Sequence, residues 1–120
     1  MTRSRASARQ AGTRFETSIV GYLAANYDDV IERRRQSGSK DRGDVSGFRY
    51  AGRRIVAELK DYGGRVLIGP WLREVDIERG NDSADVGLLI IKRRGVTDPG
   101  DQIVAMTLRD LLALLTGERT

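Results

Sequence analysis

Apolar residues fall at Phe15, Ile19, Leu23 and Tyr27, one at every fourth position. That spacing lines one face of a helix and predicts an amphipathic helix over Thr13–Tyr27, with Thr13 as its N-cap. Val30–Gln36 predicts a strand leading into a turn-rich loop, Ser37–Gly43. Asp44–Phe48 and Arg54–Lys60 read as the arms of a β-hairpin around Tyr50-Ala51-Gly52. Lys60–Gly64 is a loop, marked by Gly63-Gly64. Pro70 suits the first turn of a helix that runs to Arg79 and stops at Gly80, with Trp71, Leu72 and Val75 inward. Val86–Ile91 is almost continuously apolar, as in a strand covered on both faces. Beyond a loop at Lys92–Asp101, Gln102–Met106 predicts another strand. Thr107 and Asp110 then have the spacing of a capping box. Leu108, Leu111, Leu112 and Leu115 follow at helical spacing, as core or as a dimer contact.

The predicted order is α-β-β-β-α-β-β-α. A hairpin combined with a crossover helix implies an α/β domain with a mixed central sheet flanked by helices. Residues 1–12 carry Arg, Ser, Ala and Gln without an acid and read as a flexible basic arm. Residues 13–120 are expected to form one domain.

Composition narrows the chemistry. The 120 residues include no cysteine and no histidine. Disulfides, Cys- or His-based zinc sites, and Ser-His or Cys-His nucleophiles are therefore excluded. Carboxylates, lysine, hydroxyls or an oxygen-bound metal must carry any reaction. No transmembrane stretch and no signal-peptide core is seen, so a cytoplasmic protein is expected, or one of the host cytoplasm if phage-encoded.

Charge adds a direction. The whole chain is +4, but residues 1–60 carry a net +6 and residues 61–120 a net −2. A basic half suits an anionic partner, nucleic acid first, and is equally the uneven surface of an ordinary soluble protein. Of the 21 basic residues 18 are arginine. Arginine suits bidentate phosphate contact, and a GC-rich genome gives the same bias.

The hairpin carries the most specific signal. Side chains alternate along Arg54–Lys60, so Ile55, Ala57 and Leu59 share one face while Val56, Glu58 and Lys60 share the other. A turn centred on Ala51 places Asp44 directly opposite Glu58. Facing residues have Cβ atoms about 4.5–5.5 Å apart, where two carboxylates repel unless a cation lies between them. A hard divalent cation such as magnesium takes such oxygens together with waters. Lys60, on the Glu58 face, can then orient or polarise a nucleophilic water. A one-residue slip in register breaks this arrangement.

Glu16 on the first helix, Gly43-Asp44 opening a strand and Glu58-Leu59-Lys60 closing the next resemble the PD-(D/E)XK nuclease superfamily. The element order after the first helix resembles its αβββαβ, restriction-endonuclease-like core, here with an extra strand and a C-terminal helix. Within that superfamily the chain is most similar to archaeal-type Holliday junction resolvases, in length, in the early helical Glu, in the loop Ser37-Gly38-Ser39-Lys40 and in Lys92 after the later strand. Gly43 replaces the motif's proline, and Asp61 adds an acid after Lys60.

The resemblance implies that Asp44, Glu58 and the Leu59 carbonyl bind magnesium, with manganese able to substitute. It further implies that Lys60 assists the attacking water and that Glu16 holds a metal-bound water or a second metal. Ser39, Lys40 and Lys92 are implied DNA phosphate contacts. The implied activity is metal-dependent cleavage of paired strands at four-way junctions by a homodimer, in DNA recombination and repair. Other repair or restriction nucleases of the same superfamily, and a non-catalytic DNA-binding module, are the alternatives.

Other residues carry weaker signals. Arg33 and Arg35 share a strand face and are candidate phosphate contacts, or guard an edge strand with charge. Arg14 and Arg93 join the candidate DNA contacts, and Tyr62 is a base-stacking candidate or a plain loop residue. Trp71 reads as core or dimer interface. Glu74, Asp76 and Glu78 read as a solvated helix face whose charge repels DNA from that side.

Overall fold

A computed structural model describes residues 3–35 and 38–120 of the chain. Its elements are α1 (Arg5–Asn26), β1 (Glu32–Arg33), β2 (Val45–Ser46), β3 (Arg49–Tyr50), β4 (Arg53–Lys60), α2 (Ile68–Asn81), β5 (Val86–Ile91), a 3-10 turn at Pro99–Asp101, β6 (Ile103–Ala105) and α3 (Leu108–Thr116). Four strands form a mixed sheet in the order β3-β4-β5-β6, and β1 pairs with β2 in a separate ribbon. β4 and β5 are parallel, joined through α2, and both sheet edges are antiparallel. The chain is thus an α/β domain with a mixed sheet. No helix among the described residues is long and apolar enough to cross a membrane.

The first helix begins earlier than the Phe15 periodicity predicts. Ser4, not Thr13, is the N-cap and accepts the Ser7 N–H. Arg5–Gly12, expected as part of a flexible arm, is therefore helical, while Met1 and Thr2 lie outside the described residues. Ala11 explains the extension. It sits one turn before Phe15 and is buried with Phe15 and Ile19, so the apolar stripe reaches a turn further back. Arg3 anchors the start of this segment, donating to the Asp61 carbonyl and carboxylate, each at 3.0 Å. The predicted Val30–Gln36 strand is reduced to Glu32–Arg33, and Gln36 and Ser37 lie outside the described residues.

β4 alternates as its sequence predicts. Ile55, Ala57 and Leu59 pack with Phe15 and Ile19 of α1 and with Leu88 and Ile90 of β5. Val56 packs on the other side with Trp71 and Val75 of α2 and with Leu89 and Ile91. β5 is buried throughout, as expected of a central parallel strand. Burying a large apolar side chain of this kind contributes about 1.5–3 kcal/mol, so the two layers hold β4 from both faces.

The hairpin register differs from the expected one. The turn holds two residues, Ala51 and Gly52, both at positive φ, so Arg49 pairs with Arg54 and Tyr50 with Arg53. A turn centred between these residues shifts every pair by one. Gly47 is also at positive φ, and there the chain leaves β4 to pair β2 with β1. It returns at Asp44, whose N–H donates to the Ala57 carbonyl at 3.0 Å. Asp44 therefore lies beside Ala57 and not opposite Glu58.

α3 is capped as expected, Thr107 accepting the Asp110 N–H at 3.2 Å. Leu114 packs against the core, but the predicted stripe of Leu108, Leu111, Leu112 and Leu115 is exposed. Leu108 is 70% exposed and Leu115 63%. α3 is instead docked by Ala113 and by buried Asp110, which accepts the Gly87 N–H at 3.0 Å and pairs with Arg119 at 2.7 Å. These donors hold the Asp110 carboxyl below its ordinary range even though burial pushes it up.

Candidate metal centre

The last residues of β4 place Glu58 and Lys60 on the α2 side of the sheet, both buried. The Lys60 ammonium lies 3.0 and 3.1 Å from the two Glu74 oxygens and 3.5 Å from Glu58 Oε1. The rings of Tyr62 and Trp71 flank it, with centroids 5.7 and 5.6 Å from Nζ. Burial pushes Lys60 down, but the carboxylates of Glu74 and Glu58 outweigh it and the net shift is upward. Lys60 is therefore a cation at neutral pH, able to donate and not to accept a proton.

Two further acids reach this spot from α2. Glu74 and Glu78 lie on the face that carries Trp71 and Val75, so the predicted solvated face over Glu74, Asp76 and Glu78 is corrected. The Asp76 side chain is 57% exposed, Glu74 is partly buried with its side chain 41% exposed, and Glu78 is 1% exposed. The signal was present in the sequence, because positions 71, 74, 75 and 78 follow i, i+3, i+4, i+7 spacing.

Asp41 approaches from the loop before β2. Its Oδ1 accepts the Gly43 N–H at 2.9 Å, and Asn81 of α2 donates to its carbonyl at 2.8 Å. One oxygen from each of Asp41, Glu58, Glu74 and Glu78 lies within 4.8 Å of the others, so this cluster can hold a metal ion.

Asp44 reaches Glu58 by a different route from direct opposition. Its Oδ2 accepts the Leu59 N–H at 2.8 Å, the carboxylate acting as a ladder acceptor at the edge of β4. Gly43 permits this approach with φ of +87°. A Cβ there would lie 2.8 Å from Val56 Cγ1 and 3.1 Å from the Ala57 carbonyl oxygen. A proline, as in the superfamily motif, cannot adopt positive φ, so glycine is the residue this turn demands.

The acids load one another. Burial first, then Glu16, pushes the Asp44 carboxyl up to about 6 despite the Leu59 N–H. Burial and the Asp44 charge push Glu58 up to about 8. Burial and Glu58 push Glu78 up to about 10. Glu58 Oε2 and both Glu78 oxygens are buried and, among the described residues, meet no N–H or hydroxyl donor. Acids crowded until they hold their protons are the donor set that a hard divalent cation satisfies, the ion replacing the protons.

Glu16 is close enough to Asp44 to raise it, but its Oε2 is held by Arg33 at 2.7 and 3.1 Å. Arg33 is thus paired with Glu16, and its side chain is still 49% exposed. Arg34 pairs with Asp82 at 3.3 Å, while Arg14, Arg35, Ser39 and Lys40 are exposed. Lys92 donates to the Arg93 carbonyl at 2.8 Å, and Arg93 donates to the Asp101 carbonyl at 3.2 Å. Trp71 is core, with Tyr62 packed on its ring edge at 5.0 Å.

A basic groove of about 900 Å³ opens at the same end of β4. Arg3, Arg9, Arg65, Lys92 and Arg94 line it, with Asp61 among them. Of these, the sequence reading singled out Lys92 alone as a DNA contact. Arg9 was hidden in the expected flexible arm, and only the helical start of α1 brings it beside loops 61–65 and 92–95. Comparison with family models, curated proteins and solved structures finds no match to this chain.

Proposed function

We propose that this chain is a magnesium-dependent DNA endonuclease with a restriction-endonuclease-like core, acting on four-way junctions as a homodimer. The observation that carries the reading is the Asp44–Leu59 hydrogen bond, which fixes one carboxylate against the Glu58-Leu59-Lys60 segment. Asp44, Glu58 and the Leu59 carbonyl would hold the metal, and manganese would substitute. When bound, the metal supplies charge that lowers the pKa of a water and offsets the developing charge on phosphate.

The remaining work falls to the chain's own residues. Lys60, held cationic, donates to the attacking water or to a phosphate oxygen and stabilises the charge that builds there. Glu16 adds charge behind Asp44, and Arg33 restrains that carboxylate. Trp71 and Tyr62 shield the Lys60 ammonium on one side and strengthen its interactions by excluding water. The basic groove gives a nucleic-acid backbone a path that ends at Leu59 and Tyr62, next to Lys60 in the chain. Arg3, Arg9, Arg65 and Arg94 join Lys92 as phosphate contacts in this reading.

The experiment compares a synthetic four-way junction, a flap and a linear duplex at one protein concentration, with magnesium or with EDTA. Magnesium-dependent nicking of the junction is expected, reduced at least ~100-fold in Asp44→Asn and in Lys60→Met. Undiminished cleavage by both variants overturns the assigned site. Equal rates on all three substrates leave a nuclease but remove the junction preference.

A further inference from the structure

Glu58 faces two groups of acids. Toward the β4 edge it meets Asp44, the pair on which the proposed nuclease reading rests. Toward α2 it meets Asp41, Glu74 and Glu78, none of which that reading uses.

We propose that Asp41, Glu58, Glu74 and Glu78 form a second divalent-cation site that shares Glu58 with the Asp44 site. Two independent features support it. The first is geometric. One oxygen of each residue lies within 4.8 Å of the other three. Oxygens bound at about 2.1–2.4 Å to one hard cation stand no more than ~4.8 Å apart, the diameter of its ligand shell. The second is the state of Glu78. It is 1% exposed, it projects into the cluster, and among the described residues its oxygens meet no N–H or hydroxyl donor, only the other acids of the cluster. Burial and Glu58 keep Glu78 protonated in the metal-free chain, and a cation at the centre of the cluster takes the place of that proton.

Charge balance points the same way. The four carboxylates face one ammonium, Lys60, which reaches Glu74 and Glu58 and leaves Glu78 unserved. A divalent ion among these oxygens competes with Lys60 for Glu74. Its binding weakens the Lys60–Glu74 pair. Four carboxylates suit calcium or manganese better than magnesium, which retains more water.

Manganese EPR titration of the full-length chain, without DNA, counts the bound ions. Two per chain are expected for the wild type and one for both Glu78→Gln and Asp41→Asn. Asp41 lies on an exposed loop, so its variant tests the site without disturbing the core. Lys60→Met removes the competing ammonium and should tighten the second ion about tenfold, which corresponds to ~1.4 kcal/mol. An ion count unchanged from wild type in both Glu78→Gln and Asp41→Asn overturns the inference. Asp44→Asn separates it from the nuclease reading. Loss of an ion in Glu78→Gln but not in Asp44→Asn keeps the second site and removes the first.

Discussion

The Asp44 carboxylate accepts the backbone N–H of Leu59 at 2.8 Å. This bond ties an acid in the loop before β2 to the residue between Glu58 and Lys60. It does so although Asp44 lies beside Ala57 and not across from Glu58. Strand opposition aims side chains at right angles to the sheet, whereas here the carboxylate lies along the edge and extends the ladder.

Gly43 makes that position available. In Gly43→Ala a Cβ would lie 2.8 Å from Val56 Cγ1 on a backbone at φ +87°. A loss of roughly 1–3 kcal/mol in stability is expected, from left-handed strain and overpacking together. Manganese affinity should fall with it, because Asp44 moves. Chemical denaturation and metal titration of the variant check both effects, and an unchanged unfolding midpoint would refute the close approach.

The loaded carboxyls set a pH dependence. Asp44, Glu58 and Glu78 are raised to about 6, 8 and 10, above the ordinary values of 3.8 and 4.5. The folded chain therefore holds more protons than the unfolded chain from about pH 4 upward, and its stability declines as pH rises through that range. Without divalent ions the melting temperature should fall between pH 5 and about pH 9. Saturating manganese should flatten the decline, since it replaces the protons. Asp110, lowered instead, loses its contribution only as pH falls toward its own range. A metal-free melting temperature that rises over this interval would contradict the mutual loading of these acids.

The basic groove is a test of DNA contact apart from catalysis. Arg9→Ala and Arg94→Ala should each weaken junction binding and flatten the dependence of log K on log salt by ~0.7–0.9 per lost phosphate contact. Cleavage at saturating protein should be affected less than binding. Fluorescence anisotropy across a salt series gives the slopes, and slopes equal to wild type exclude the groove as the path.

The proposed homodimer has a visible candidate surface in α3. Leu108 and Leu115 are 70% and 63% exposed, and Leu111 and Leu112 lie between them. The double variant Leu108→Glu/Leu115→Glu should sediment as a monomer and stay folded, because neither side chain is core. Wild-type chain that is monomeric at concentrations where it cleaves would remove the dimer from the reading.

The sequence by itself settled the features that depend on local period. The alternation along β4 put Glu58 and Lys60 on one face, and the burial of both neighbouring layers bears that out. The apolar run Val86–Ile91 marked the central strand, and the absence of His and Cys confined any metal site to oxygen ligands. The same periodicity includes Ala11, one turn before Phe15, and Glu78, seven residues after Trp71.

Tertiary structure decided which acids meet. The two-residue turn at Ala51-Gly52 and the break at Gly47 set where Asp44 returns to β4, and such register shifts leave no periodic trace. The crossover of α2 brought Glu74 and Glu78 over Glu58, while a hydrogen bond from Asn81 to the Asp41 carbonyl brought the loop acid beside them. Contacts between distant elements depend on how whole faces pack, which local spacing does not encode. For the same reason the stripe Leu108, Leu111, Leu112 and Leu115 reads as core or dimer contact in sequence, and it is exposed on the single chain. A buried Asp110 that accepts from Gly87 and Arg119 docks the helix in their place.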